Sequence, residues 1–182
     1  MVGEAISATI LPLASRKRTT RATHDLEVRT SATPVGIVDD QQLTRTFQRF
    51  SKLDKFAGML IEETIKGIEL ILGCKNDLQF GPMILLGMGG VGAEIYKDVA
   101  LRMAPLATKD FASMVRELKA TKLLTGYRGS EPVNMKELRR SIIIFSNFMM
   151  NLQDIIDSVD LNPVICNSKH CIVADARIML KK

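Results

Sequence analysis

The chain has no tryptophan, two tyrosines and two histidines in 182 residues, and aromatics make up only 5%. Proteins that stack bases along a basic track need more aromatic platforms than this, so a nucleic-acid binder is disfavoured. No Ser-His-Asp or Cys-His arrangement can be assembled from two histidines, and His24 has no partner nearby. Three cysteines, an odd number, do not make a disulfide framework and point to a reducing, cytoplasmic home. No apolar run approaches the roughly 18–20 residues of a spanning helix, so a membrane role is not expected. Charge of one sign is also scarce, since 25 basic residues face 20 acidic ones for a net +5.

What is present is a 46% hydrophobic chain of single-domain length, enough to bury a sizeable core. Residues 1–34 stand apart. They hold Arg16, Lys17, Arg18, Arg21 and Arg29, are rich in Ser, Thr and Ala, and show no sustained periodicity. Ser15–Thr30 has the look of a transit peptide or a phosphate-binding arm. A secretory signal does not fit, because Glu4 precedes any basic residue and Pro12 interrupts the apolar stretch. The expectation is an irregular N-terminal arm.

From residue 35 the texture is that of a packed α+β chain. Asp39 and Asp40 precede Leu43, Phe47 and Phe50 at helical spacing. The runs GMLIEETI (58–65) and IELILGC (68–74) around Lys66-Gly67 read as a hairpin, with Asn76-Asp77 as a closing turn. Gly81-Pro82 introduces the apolar run MILLG (83–87). Thr108 is placed to cap a helix with Phe111, Met114, Val115 and Leu118 on its apolar face. Asn134 and Glu137 form a capping-box pattern opening a helix over about residues 135–156. DLNPVIC (160–166) and HCIVADARI (170–178) read as two strands around Asn167-Ser168-Lys169.

Three constellations are candidates for chemistry. Gly87-Met-Gly89-Gly90-Val-Gly92 satisfies G-x-G-x-x-G after an apolar strand, but Ala104-Pro105 follows too soon for a second parallel strand. Its glycines still expose backbone N–H groups that can cradle an anion, with a ligand-free tight turn as the alternative. Cys166, His170 and Cys171 are three soft ligands where structural zinc wants four, so a hairpin that happens to carry them is the better reading. Asp160, Asn162 and Asp175 fall on one hairpin face, because residues i and i+2 of a strand point the same way. Two carboxylates and an amide oxygen suit Mg²⁺, although from spacing alone a solvated hairpin edge is the better reading. Glu62, Glu63 and Glu69 add an acidic segment whose default is solvation.

The stretch GMLIEETIKGIELILGCKNDLQFGPMILLGMGGVGAEIYKDVALRMAPL (58–106) resembles the ATP-grasp domain of ADP-forming acyl-CoA synthetases. LLTGYRG (123–129), EPVNMKEL (131–138), DLNPVI (160–165) and VADARI (173–178) continue the resemblance in order. It runs from about residue 35 to 180, and the family is similar to the succinyl-CoA synthetase β subunit. It implies an ATP-grasp-like C-terminal lobe, an antiparallel or mixed sheet flanked by helices, with Mg²⁺ and ATP or ADP as cofactors. The family reaction interconverts acyl-CoA, ADP and phosphate with free acid, CoA and ATP through a phosphohistidine. Carried over position by position, Glu62 and Glu63 match the hinge segment that meets adenine and ribose, with Glu62 standing where the family has Gln. Glu69 matches the acid of the following strand. Asn162 and Asp175 match the Mg²⁺ ligands, with Asp160 as a water-mediated partner. Gly89, Gly90 and Glu94 match the Gly-rich segment facing phosphoryl transfer. Lys97, Asp98, Arg102 and Arg128 match recurrent charged positions, and Glu94 and Arg128 are the candidates for a catalytic role.

The family's first lobe carries lysines and a His-Lys-(Ser/Thr)-Asp-Val-Gly-Gly segment, where this chain reads RTSATP before Val35-Gly36. The CoA-binding domains with the main phosphohistidine are likewise not recognisable. The resemblance therefore implies an N-terminally truncated, partial ATP-grasp domain over residues 35–182. Such a piece works beside a CoA-binding, phosphohistidine-bearing domain or subunit, and a half-site this hydrophobic needs a partner surface, which a second copy of the chain could also supply. The alternative is a non-catalytic or regulatory ATP-grasp-like module.

Overall fold

The computed structural model describes residues 6–12, 35–37, 39–53, 56–89 and 98–181. They fall into two units, Met1–Ile65 and Lys66–Lys182.

In the first unit, strands β1 (Ile6–Pro12), β2 (Val35–Ile37) and β3 (Phe56–Glu63) form a sheet of order β2-β1-β3. Strand β1 lies within the segment expected to be irregular. It pairs antiparallel with β3 from Ile6 opposite Glu63 to Pro12 opposite Phe56, a partner too distant in sequence for local periodicity to reveal. Helix α1 (Asp40–Phe50) begins where the sequence places it, with the Asp39 carboxylate accepting from Gln42 N–H at 2.7 Å. Phe50 is buried, and Phe47 meets Phe56 edge-on at 5.8 Å.

The second unit is built on antiparallel strands β4 (Ile68–Asp77), β5 (Gly81–Met88), β6 (Val99–Met103), β7 (Ile156–Cys166) and β8 (Cys171–Val173), in the order β6-β5-β4-β7-β8. Strand β9 (Ala176–Leu180) also pairs with β7. The expected hairpin of residues 58–74 is therefore replaced: β3 pairs with β1, and β4 pairs with β5 and β7. Gly67 is small for a reason other than a turn. A Cβ there would lie 2.5 Å from the Cys166 carbonyl oxygen, so glycine is what lets β4 start against the end of β7. The expected turn at Asn76-Asp77 moves to residues 78–80. The Asp77 carboxylate accepts from Gln79 and Phe80 N–H, and these bonds hold its carboxyl below the usual range.

Helices α2 (Thr108–Glu117), α3 (Thr121–Leu124) and α4 (Met135–Asn151) complete the unit. Ala107, not Thr108, is the N-cap of α2, and Asp110 reaches back to accept from its N–H at 2.8 Å. The Asn134 side chain caps α4 by accepting from Glu137 N–H at 3.1 Å. Helix α4 stops at Asn151, short of the expected 156, because Ile156 opens β7 opposite Leu180. Phe111, Met114 and Val115 of α2 and Leu138, Ile142, Phe145 and Met149 of α4 pack on Leu70, Leu72, Cys74, Ile84 and Leu86 of the sheet. Each large side chain buried this way contributes about 1.5–3 kcal/mol, so the packing of helices on one sheet face dominates the unit's stability. No described helix is long and apolar enough to cross a membrane.

Candidate functional site

The pleat sorts the second unit's strands into two faces. On β4, Leu70, Leu72 and Cys74 are buried under the helices, so Glu69, Ile71, Gly73 and Lys75, which alternate with them, point away. Register extends this helix-free face through Met83 and Leu85 of β5 to Leu101 and Met103 of β6. Asp160 of β7 lies opposite Gly73 and joins it.

Strand β7 is irregular at the point that matters. Leu161 pairs with Leu72 and Val164 with Leu70, so Asn162 and Pro163 together oppose the single residue Ile71. Such a bulge re-aims side chains and interrupts pairing locally. On the other edge of β7, Asn162 N–H donates to the Asp175 carbonyl at 3.2 Å and Ala174 N–H to the Pro163 carbonyl at 3.0 Å. Pairing thus passes from β8 to β9 across Ala174 and Asp175. Asp160 is directly opposite Arg177. Asp160, Asn162, Asp175 and Arg177 therefore share one exposed face as two carboxylates, an amide and a guanidinium. Asp175 is further oriented by the Ala176 N–H, which donates to its Oδ1 at 2.8 Å.

The juxtaposition of Asp160, Asn162 and Asp175 anticipated from spacing is present in the fold. Arg177 was missed, although its position two residues beyond Asp175 was the available signal. Among the described residues no three His, Cys, Asp or Glu side chains gather into a metal cluster. The set here offers two carboxylates and an amide, all hard oxygen donors on an open surface, which fits an ion that keeps several of its waters.

Glu69 lies on the same helix-free face, two residues from Ile71 and hence beside the bulge. Gly89 N–H donates to the Glu69 carbonyl at 2.8 Å. A Cβ at Gly89 would fall 2.8 and 2.9 Å from the carbonyl carbon and oxygen of Leu70, so the Gly-rich segment leaves β5 in direct backbone contact with β4. Gly90, Glu94 and Lys97 lie outside the described residues. Glu62 and Glu63 end β3 in the first unit, opposite Ser7 and Ile6. Directly after them, the Thr64 hydroxyl is buried and without a hydrogen-bond partner among the described residues, a condition uncommon enough in native proteins to mark the segment.

The recurrent charged positions separate by role. Asp98 is 5% exposed and its carboxylate accepts from Lys119 N–H at 2.7 Å and Ala120 N–H at 2.8 Å, tying the α2–α3 junction to the start of β6. Arg102 points to the helix side, donating to the Ser113 hydroxyl and pairing with Glu117 at 2.8 Å. Arg128 has φ +50° in a turn where Gly126 and Gly129 also have positive φ, and its guanidinium lies 5.2 Å from the Tyr127 ring centroid. A non-glycine residue in this region marks a backbone fixed by its surroundings. Ser130 Oγ accepts from Tyr127 N–H at 3.0 Å and closes the turn. The turn is joined to the β7–β8 connection through Glu131 and Ser168, and Asn134 N–H donates to the Asn167 carbonyl.

Two other readings of the sequence are settled by topology. Strand β5, which feeds the glycine motif, is antiparallel to both neighbours, whereas a dinucleotide fold needs parallel strands. Cys166 and Cys171 face each other across β7 and β8, while His170 is exposed in the turn.

The family model described as ATP-grasp domain matches residues 35–180. The β subunit of an ADP-forming acetate–CoA ligase (II) from Pyrococcus furiosus is 41% identical over 127 residues, covering 68% of this chain and 54% of the relative. An ADP-forming 4-hydroxybutyrate–CoA ligase from Nitrosopumilus maritimus is 36% identical over 141 residues, 76% of this chain but 20% of the relative. The chain spans about half the length of the curated β subunits it matches and far less of the longer ligases. Among solved structures, acetyl-coenzyme A synthetase 1 of Ca. Korarchaeum cryptofilum, in complex with coenzyme A and Mg-AMPPCP, superposes with a TM-score of 0.75 at 32% identity. That match covers 96% of this chain and 76% of the other.

Proposed function

The chain belongs to the ATP-grasp domain family, and from that premise we propose that it is the Mg²⁺-dependent ATP/ADP-binding part of an ADP-forming acyl-CoA synthetase. The observation that carries this reading is the β7–β9 face, where one backbone hydrogen bond sets Asn162 beside Asp175. Asn162 and Asp175 would hold the ion, with Asp160 reaching it through water. An Mg²⁺ ion held by these residues would neutralise charge on the nucleotide phosphates. Arg177 adds a guanidinium suited to phosphate oxygens on the same face. Glu69 and the backbone of Gly89 and Gly90 would border the phosphate end of the ligand. By the resemblance, Glu62 and Glu63 of the first unit would be the residues that meet adenine and ribose. Glu94 and Arg128 remain the candidates for contact with the transferred phosphoryl group.

The activity of the whole enzyme, interconverting acyl-CoA, ADP and phosphate with acid, CoA and ATP through a phosphohistidine, requires CoA-binding and phosphohistidine-bearing domains or a subunit beside this chain. Relatives named for acetate and for 4-hydroxybutyrate leave the acyl group open. The odd count of three cysteines is what supports a cytoplasmic setting. The second reading, a binding module without catalysis, is favoured by the RTSATP segment where the family carries its His-Lys segment.

Titration calorimetry of the chain with Mg²⁺·ADP tests the proposal. Saturable binding weakened at least tenfold by Asn162→Ala and by Asp175→Ala is the expected result. Binding indifferent to both substitutions would remove the metal assignment, and no heat at millimolar nucleotide would leave only the non-catalytic module.

A further inference from the structure

We infer that Cys166 and Cys171 form a dithiol that a peroxide converts to a cross-strand disulfide, making the closed end of the β7–β8 hairpin a site of reversible oxidative modification. The two residues are in register on adjacent antiparallel strands, so their side chains share a face. Their position in the ladder can be counted from both ends. Ala174 N–H bonds the Pro163 carbonyl and Asn167 N–H bonds the His170 carbonyl, and hydrogen-bonded pairs alternate with open ones. The 166–171 pair is therefore an open one, the kind in which Cα atoms approach to about 4.5 Å and side chains come closest. That separation lies within the range of about 4.4–6.8 Å over which a disulfide forms without backbone movement. Cys74 is on β4 opposite Val159 and Ile84, several residues along the ladder from this pair, and is not a competing partner.

The two sulfurs are chemically unequal. Cys166 is fully buried, while Cys171 is half-buried at the edge of the core. The side-chain hydrogen bond between the two sulfurs holds Cys171 below and Cys166 above the ordinary thiol range. Cys171 is thus the thiolate-forming, reachable member and Cys166 the resolving one. In the first step the Cys171 sulfur attacks hydrogen peroxide: an S–O bond forms, the O–O bond breaks, and the departing hydroxide takes up a proton to leave as water. Cys166, losing its proton, then attacks the Cys171 sulfenic acid: the S–S bond forms, the S–O bond breaks, and a second water leaves. Two thiols lose two electrons in total and one peroxide gains them. The staple would close the hairpin four residues from both Asn162 and Asp175, on the opposite face of the sheet.

The test treats the intact chain with stoichiometric hydrogen peroxide, caps remaining thiols with iodoacetamide, and reads intact and tryptic masses. Trypsin cuts after Lys169, between the two cysteines, so a disulfide keeps two peptides joined until dithiothreitol separates them. The expected result is a loss of about 2 Da, one capped thiol at Cys74, and the joined 166/171 peptide, all retained in Cys74→Ser and reversed by dithiothreitol. Cys171→Ser should leave Cys166 as an unreacted thiol, and Cys166→Ser should trap Cys171 as a sulfenic acid or higher oxide. Independent oxidation of both sulfurs in the wild-type chain, a link to Cys74, or three capped thiols after peroxide would each overturn the inference.

Discussion

Replacing Asp98 by alanine removes the one side chain that satisfies two backbone donors at the α2–α3 junction, Lys119 N–H and Ala120 N–H, at 2.7 and 2.8 Å. Hydrogen bonds to a charged group are worth about 1.5–3 kcal/mol each, and a buried donor left unpaired costs about 1–3 kcal/mol. The Asp98 carboxylate is 5% exposed, so water cannot simply take its place. The expected loss is therefore about 3–5 kcal/mol, a large part of the ~5–15 kcal/mol that keeps a typical domain folded. Asp98→Asn keeps one acceptor oxygen but turns an NH₂ toward the second donor, and should cost about 1.5–3 kcal/mol. Urea titration followed by far-UV circular dichroism at pH 7 reads both values from the midpoint, and the thermal midpoint of Asp98→Ala should fall by about 6–20 °C. A loss under about 1 kcal/mol for Asp98→Ala, or an Asn variant as stable as wild type, would refute this structural account. Asp98 would then owe its place among the family's recurrent charged positions to chemistry at the phosphoryl group.

Gly89→Ala forces a Cβ to within 2.8 Å of the Leu70 backbone, so the Gly89–Glu69 hydrogen bond must lengthen. A loss of about 1–3 kcal/mol by urea titration is expected, and an unchanged midpoint would mean the contact is not this close. Burial pushes the Cys74 thiol up to about 11 from its ordinary 9.0. The folded state therefore keeps this proton between about pH 9 and 11 while the unfolded chain releases it, and stability falls with rising pH over that window. Cys74→Ala should lose less stability than wild type between pH 9 and 11, and equal slopes would show that Cys74 is not buried in the folded state.

The parts legible in the sequence were those fixed by neighbours along the chain. Asp39 and Asn134 announced two helix starts because a capping side chain bonds three residues ahead. The DLNPVIC and HCIVADARI strands were legible as a pair because only Asn167-Ser168-Lys169 separates them, and their proximity brought Asp160, Asn162 and Asp175 into view. Pairing over long separations was not legible. Nothing local distinguishes a Lys66-Gly67 turn from a glycine needed against Cys166, and β3 finds its partner near the N-terminus. The charged set was legible only as recurrent positions without a role: Arg102 and Asp98 carried no assigned chemistry in one dimension and serve helix packing in three.

Strand β7 is, in effect, two half-strands out of phase. Upstream of the bulge Val159 and Leu161 face the helices, and downstream Val164 and Cys166 do, a spacing of three where strict alternation demands two. The extra residue lets Asn162 and Pro163 lie side by side on the helix-free face while both halves keep their apolar positions in the core. The two faces are thereby uncoupled at one point. Donor groups at position 162 can change without moving any helix, and deleting a single residue there would restore strict alternation, leaving one residue opposite Ile71 while Val164 and Cys166 keep their places in the core.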